Sequence, residues 1–201
     1  MIQKQEIVSQ DCNRVFEKIS KKLEDLDNSS ILVSGGSGFL GSWISEMVFY
    51  MNSFHNKNIK LFLLDRDQER YENNLEHISK SKMIEFIKYD VRSVSDLPNE
   101  INYIIHGAAT PDSRMHSASP LDTMTSIADG TGAILHAANR VSNLLRFLNI
   151  SSSSVYGDLS GENISETSSG LPLDLKASNA HSEAKRYAEM LGSAARSEAR
   201  M

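Results

Sequence analysis

The sequence predicts a doubly wound α/β fold, a parallel sheet with helices on both faces. Three observations carry the prediction. Short apolar runs alternate with helix-like stretches along the chain, the order that gives parallel strands joined by right-handed crossovers. The runs are nearly continuous in apolar residues rather than alternating, as strands covered on both faces are. The first run leads straight into a glycine cluster that opens a helix.

Residues 5–27 come first. Val8, Cys12, Val15, Phe16, Ile19, Leu23 and Leu26 recur at three- and four-residue steps with charges between them, the pattern of an amphipathic helix. The simplest reading is a helix laid against a larger body; the sharper one is an oligomer contact or a lid. Asp27-Asn28-Ser29-Ser30 breaks it. Residues 1–28 therefore read as an N-terminal helical extension and 29–201 as one domain. Ile31-Leu32-Val33 is the first strand, and a helix follows the glycines through Tyr50, with Phe39 and Trp43 expected to pack it on the sheet. Strands follow at Ile59 to Leu64, Met83 to Tyr89, Asn102 to His106 and Leu144 to Ile150. Helices are expected over 67–81, 120–140 and 178–199, and 158–176 reads as a loop.

Composition narrows the function classes. The chain has 201 residues, 40% of them hydrophobic, and a net charge of −5. That suits one domain or slightly more and argues against a nucleic-acid binder, which carries a basic patch. A single cysteine, Cys12, excludes an internal disulfide framework and a Cys-rich zinc site and fits a reducing cytoplasm. No apolar run approaches the ~18 residues of a membrane span, and MIQKQEIVSQDC lacks the apolar core of a secretory signal. The expectation is a cytoplasmic protein with no nucleic-acid or membrane partner. His55, His77, His116 and His136 show no metal-ligand spacing, so no metal site is predicted. His106, at the end of a buried strand, reads as a packed histidine.

Gly35-Gly36-Ser37-Gly38-Phe39-Leu40-Gly41 lies between a strand and a helix, the arrangement of a dinucleotide cradle. Gly35 permits the tight turn, Gly38 lets the backbone approach a pyrophosphate, and Gly41 lets the helix pack closely on the strand. The helix start offers N–H groups and the positive end of its dipole. Asp65 closes the next strand, 24 residues beyond Gly41 and about where an acid meets the adenosine ribose hydroxyls. An acid there repels the extra phosphate of NADP and favours NAD, although Arg66 beside it could accommodate that phosphate.

Further segments follow in order: Tyr89-Asp90-Val91-Arg92, His106-Gly107-Ala108-Ala109, Ser151-Ser152-Ser153-Ser154-Val155-Tyr156-Gly157 and His181-Ser182-Glu183-Ala184-Lys185-Arg186. With the glycine cluster, they resemble the extended short-chain dehydrogenase/reductases, the NAD-dependent nucleotide-sugar epimerases and dehydratases, from about Ile31 onward. The resemblance implies a Rossmann-type domain holding NAD through Gly35, Gly38, Phe39, Leu40, Gly41, Asp65, Arg66, Asp90, Val91, Ala108, Ala109 and Lys185. It implies a sugar-nucleotide substrate, a C-terminal substrate domain beyond Met201, and a homodimer through helices 120–140 and 178–199. It also implies a catalytic hydroxyl at Ser152 and a catalytic lysine at Lys185. On this reading the 201 residues are an incomplete Rossmann domain, and the isolated chain is expected to be poorly soluble or unstable.

Four positions depart from the family pattern. His181 occupies the tyrosine position of the Tyr-x-x-x-Lys motif. A histidine with an ordinary pKa of ~6.5 can accept a proton at neutral pH, but its ring does not reach where a phenolic oxygen would be. Either His181 serves as the base, or the chain is a non-catalytic NAD-binding relative. Ser153 and Ser154 stand where dehydratases and uronic-acid decarboxylases carry acids, which tilts the chemistry toward epimerase or reductase. The run Glu183-Ala184-Lys185-Arg186, followed by Ala188-Glu189, nevertheless resembles UDP-glucuronate decarboxylases, and a dTDP-glucose 4,6-dehydratase-like activity also stays open. Ile127 replaces an asparagine the family carries near the active site.

Overall fold

The computed structural model describes residues 2–109, 112–157, 163–168 and 174–198. Five parallel strands form one sheet in the order β3-β2-β1-β4-β5. They are β1 (Ser30–Ser34), β2 (Lys60–Asp65), β3 (Ile84–Lys88), β4 (Tyr103–His106) and β5 (Arg146–Asn149). The order reverses between β1, which leads to β2, and β4 on its other side. Ligands of such sheets bind outside the strand carboxyl ends at that reversal.

Strand composition follows from burial on two faces. Ile31, Val33, Leu61 and Leu63 join one apolar cluster, while Leu32, Phe62 and Leu64 join the other. Successive side chains alternate faces, so β1 and β2 must be apolar at every central position. The expectation of two-sided cover fails at the sheet edges. Leu148 of β5 is 57% exposed and β3 has exposed residues at Glu85 and Lys88, because an edge strand has one neighbour and shorter cover.

The helices are α1 (Ile2–Ile19), α2 (Phe39–His55), α3 (Gln68–Asn74), α4 (Ser113–Ala118), α5 (Pro120–Ala138) and α6 (Ala180–Glu198). The N-terminal stripe divides at Ile19, whose backbone leaves the helical region, and continues as a 3₁₀ segment, Ser20–Leu26. Cys12 and Phe16 are buried with α2, and Val15 is exposed. Phe16 stacks on His55 with ring centroids 3.8 Å apart, and Tyr50 Oη donates to Asn13 Oδ1 at 2.6 Å. α1 is thus a helix laid on α2. α3 is shorter than the predicted 67–81 helix. Asp67 caps its start by accepting from Arg70 N–H, and Asn73-Asn74, weak helix formers, precede a Leu75 that leaves helical geometry.

Phe39 and Trp43 do not pack α2 on the sheet: they are 79% and 38% exposed. The buried stripe of α2 runs through Gly41, Ser45, Val48 and Met51 instead, and neither aromatic lies on it. No helix of the described residues is long and apolar enough to cross a membrane.

Candidate functional site

The cleft is built from the glycine turn upward. Gly35 has φ +75°, a left-handed value that side chains resist, and Gly38 N–H donates back to Gly35 O at 3.0 Å. Gly38 is the N-cap of α2, and no side chain caps the helix, which leaves its first N–H groups to a ligand or water. The glycine roles differ from expectation in one respect. A Cβ at Gly41 would fall 2.5 Å from Gly36 O and 2.6 Å from Gly35 O, within the turn itself. The close approach to the strand belongs to Gly36, whose Cβ would lie 2.7 Å from Leu63 Cβ.

A cleft of about 430 Å³ opens at this turn. Gly35, Gly38 and Gly41 line it, with Phe39 and Leu40 from the start of α2. Asp65 and Arg66 enter from the end of β2, Asp90 and Val91 from beyond β3, and Ala108 and Ala109 from beyond β4. Every cofactor residue expected from the sequence lies here except Lys185. Arg70, Tyr89, Arg92, Ser126 and Ile150 line it too and were not predicted. Tyr89 and Arg92 flank Asp90 in a segment already singled out. Arg70 and Ile150 carried no sequence signal.

Asp65 is held by the turn it serves. Its Oδ2 accepts from Ser37 N–H at 3.1 Å and from Ser37 Oγ–H at 2.8 Å, and its Oδ1 accepts from Arg66 N–H at 2.7 Å. Arg66 leans on Asp90 at 3.7 Å. Hydrogen bonds from Arg92, the closest at 2.7 Å, lower the Asp90 pKa to about 2.

Behind Ala108 lies a buried polar group. His106 Nδ1 is 2.7 Å from Ser34 Oγ, and Nε2 is 3.1 Å from Thr131 Oγ1. Burial, then the charge of Lys185, pushes the His106 pKa down to about 3, so the folded chain holds a neutral ring. An unfolded histidine titrates near ~6.5, and the unfolded chain therefore binds the extra proton between these values. This contribution is whole above pH ~6.5 and is lost as pH falls toward about 3, by up to about 1.4 kcal/mol per pH unit. Urea midpoints measured down that range should fall less steeply for His106→Asn than for the wild type. Parallel profiles would count against His106 as the source.

The three expected catalytic residues lie beyond Ile150. Lys185 is 8% exposed and donates from Nζ to Ile150 O at 2.8 Å; burial lowers its pKa. Ile127 packs against Ala184 and Ala188, fixing the face of α6 that carries Lys185. His181, one turn earlier, stacks on His116 with centroids 4.2 Å apart and planes at 15°. Burial, then His116 and Lys185, lowers the His181 pKa, so its ring is neutral at neutral pH. Ser152 Oγ is 2.9 Å from Ser154 Oγ and accepts from Ser154 N–H at 3.2 Å. No hydrogen bond among the described residues joins Ser152, His181 and Lys185 to one another. Among the described residues no three His, Cys, Asp or Glu side chains converge as metal ligands.

A family model described as "NAD dependent epimerase/dehydratase family" matches residues 31–201. UDP-glucuronic acid decarboxylase 1 of Danio rerio is 31% identical over 138 residues, covering 69% of this chain and 31% of the relative. UDP-glucuronic acid decarboxylase 1 of Arabidopsis thaliana is 31% identical over 162 residues, covering 80% of this chain and 35% of the relative. The chain thus spans about a third of the length of these curated relatives. Among solved structures, UDP-glucuronic acid 4-epimerase of Bacillus cereus, in complex with UDP-glucuronic acid and NAD, superposes with a TM-score of 0.70 at 25% identity. That match covers 86% of this chain and 54% of the other.

Proposed function

The chain belongs to the NAD-dependent epimerase/dehydratase family, and from that premise we propose that its cleft binds NAD and serves hydride transfer at a hydroxyl of a nucleotide sugar. One observation carries the reading. A glycine turn that tolerates no Cβ at Gly41, an uncapped α2 start and the carboxylate of Asp65 all face one cleft. Such a site fits a pyrophosphate at the helix start and ribose hydroxyls at the acid.

Bound NAD supplies the hydride acceptor. The chain's own residues do the rest. The α2 N–H groups hold the pyrophosphate, Asp65 the adenosine ribose, Asp90 and Val91 the adenine end, and Ala108 and Ala109 one wall. Lys185, tethered to Ile150, holds the nicotinamide ribose. Ser152 orients the sugar oxygen, and neutral His181 accepts its proton at a ring nitrogen. A second copy of the chain is the expected partner, through residues 120–140 and 178–199. Leu121, Met124, Tyr187 and Met190, exposed on α5 and α6, support that contact.

A second reading, NAD binding without turnover, is favoured by one observation: the tyrosine position holds His181, committed to a stack on His116. Two measurements separate the readings. Calorimetric titration with NAD, followed by UDP-glucuronic acid as hydride donor, should give binding and then absorbance of the reduced cofactor. Binding with no reduction by any UDP- or TDP-sugar leaves only the second reading, and no binding ends both. His181→Tyr raises turnover about 100-fold if a ~1 Å misplacement of the base is what limits the wild type. An unchanged rate would sink that explanation.

A further inference from the structure

We propose that His106 is a positioning residue, locked as the Nε2–H tautomer, whose hydrogen bonds run in one direction and hold the Gly107–Ala108 wall of the cleft to α5. The direction follows from counting protons. Thr131 Oγ1 lies 2.7 Å from Ile127 O, which can only accept, so the single hydroxyl proton of Thr131 goes there. Thr131 must then accept from His106, and the ring nitrogen 3.1 Å away, Nε2, carries the proton. A neutral imidazole has one bare nitrogen, so Nδ1 accepts the hydroxyl proton of Ser34 across 2.7 Å. The lone pairs of Ser34 Oγ are left for Gly107 N–H and Ala108 N–H, each at 3.2 Å.

The opposite tautomer does not close. Nδ1–H would be a third donor aimed at Ser34 Oγ, which has two lone pairs. It would also force Thr131 to give up Ile127 O for Nε2. Ser34, His106 and Thr131 are 1%, 3% and 1% exposed, and buried polar groups left without partners are expensive. The same residue acts through its backbone. His106 O accepts from Ile150 N–H at 2.9 Å, and Ile150 O accepts from Lys185 Nζ. The wall it fixes also confines the glycine turn, since a Cβ at Gly35 would lie 3.0 Å from Gly107 O. His106 therefore joins the turn, the wall and the lysine segment without lining the cleft.

The test begins with the folded wild-type chain near neutral pH. Long-range proton–nitrogen NMR should show His106 as neutral Nε2–H; an Nδ1–H or doubly protonated ring overturns the proposal. Ser34→Ala removes the acceptor of two amides. Gly107 N–H keeps Ser34 O at 3.1 Å, so Ala108 is the clean reporter, and its amide should exchange about tenfold faster. Unchanged exchange at Ala108 overturns the positioning role. Thr131→Val keeps the shape but strips Nε2–H of its acceptor, and the Nε2–H proton should lose its hydrogen-bonded downfield shift; an unchanged shift overturns the bond to Thr131. None of these readouts uses a ligand. The expected consequence for the cofactor, which alone rests on the proposed function, is about tenfold weaker NAD binding by Ser34→Ala. A wild type that binds no NAD counts against the proposed function, whereas wild-type affinity in Ser34→Ala counts against the positioning role.

Discussion

Replacing Gly41 with alanine is expected to weaken NAD binding about 100-fold or more and to destabilise the chain by about 3 kcal/mol, the upper range of overpacking costs. The added carbon would fall 2.5 Å and 2.6 Å from two carbonyl oxygens of the turn. Both atoms are backbone, so no side chain can swing aside. Relief requires the turn to open or α2 to move, and either displaces the N–H groups that face the cleft. Gly38→Ala is the contrast. Its nearest neighbour is a single carbonyl oxygen at 3.1 Å, and a shift of a few tenths of an ångström absorbs it. Titration calorimetry gives the affinities and urea denaturation the stabilities. A Gly41→Ala chain that binds NAD within a few-fold of the wild type would show that the turn yields, and the rigid cradle would be the wrong description.

Phe62→Ala is expected to cost the most stability of any single truncation in the sheet, about 4 kcal/mol, and to lower Tm by roughly 10 °C. Phe62 is 1% exposed in the middle of β2 and belongs to the apolar cluster that also holds Leu32, Leu64 and Ile104. Its ring also lies under Lys60 Nζ, 4.5 Å from the centroid, a contact the truncation removes. The loss combines transfer of the ring to water with a cavity that a sheet held on both sides cannot close. Phe62→Leu should cost much less, near 1 kcal/mol, since it keeps most of the volume. Equal losses for the two variants would mean that ring volume is not what the core uses.

The same alternation of faces explains how much of the fold was legible in the sequence. Leu61 to Leu64 had to be apolar throughout because the strand buries both faces, and a continuous apolar run closed by Asp65 is easily read. The glycine turn was legible because left-handed backbone at Gly35 and crowding at Gly41 leave few other residues possible. Phe39 and Trp43 mislead because apolar character alone does not fix burial. Helical phase decides the matter, and Gly41, Ser45 and Val48 claim the buried stripe. α4 escaped prediction because six residues with one large apolar side chain, Met115, carry no periodic signal. Arg70 and Ile150 reach the cleft through tertiary contacts between distant segments, which local spacing does not encode. The His116–His181 stack joins two elements far apart in sequence, and its geometry was invisible for the same reason.

The packing of α1 on α2 has a practical side. Cys12, the single cysteine of the chain, lies 3% exposed on the face of α1 that packs against α2. Burial, with Glu46 and Asp11 nearby, raises its thiol pKa to about 11. The thiolate is the reactive form, so the native thiol is both hidden and almost wholly protonated at neutral pH. A cysteine introduced at an exposed site such as Phe39 or Leu175 would be the only fast-reacting thiol in the folded chain. Fluorophores or spin labels can therefore be attached at chosen positions with Cys12 left in place, and the cleft can be watched without disturbing the core that supports it.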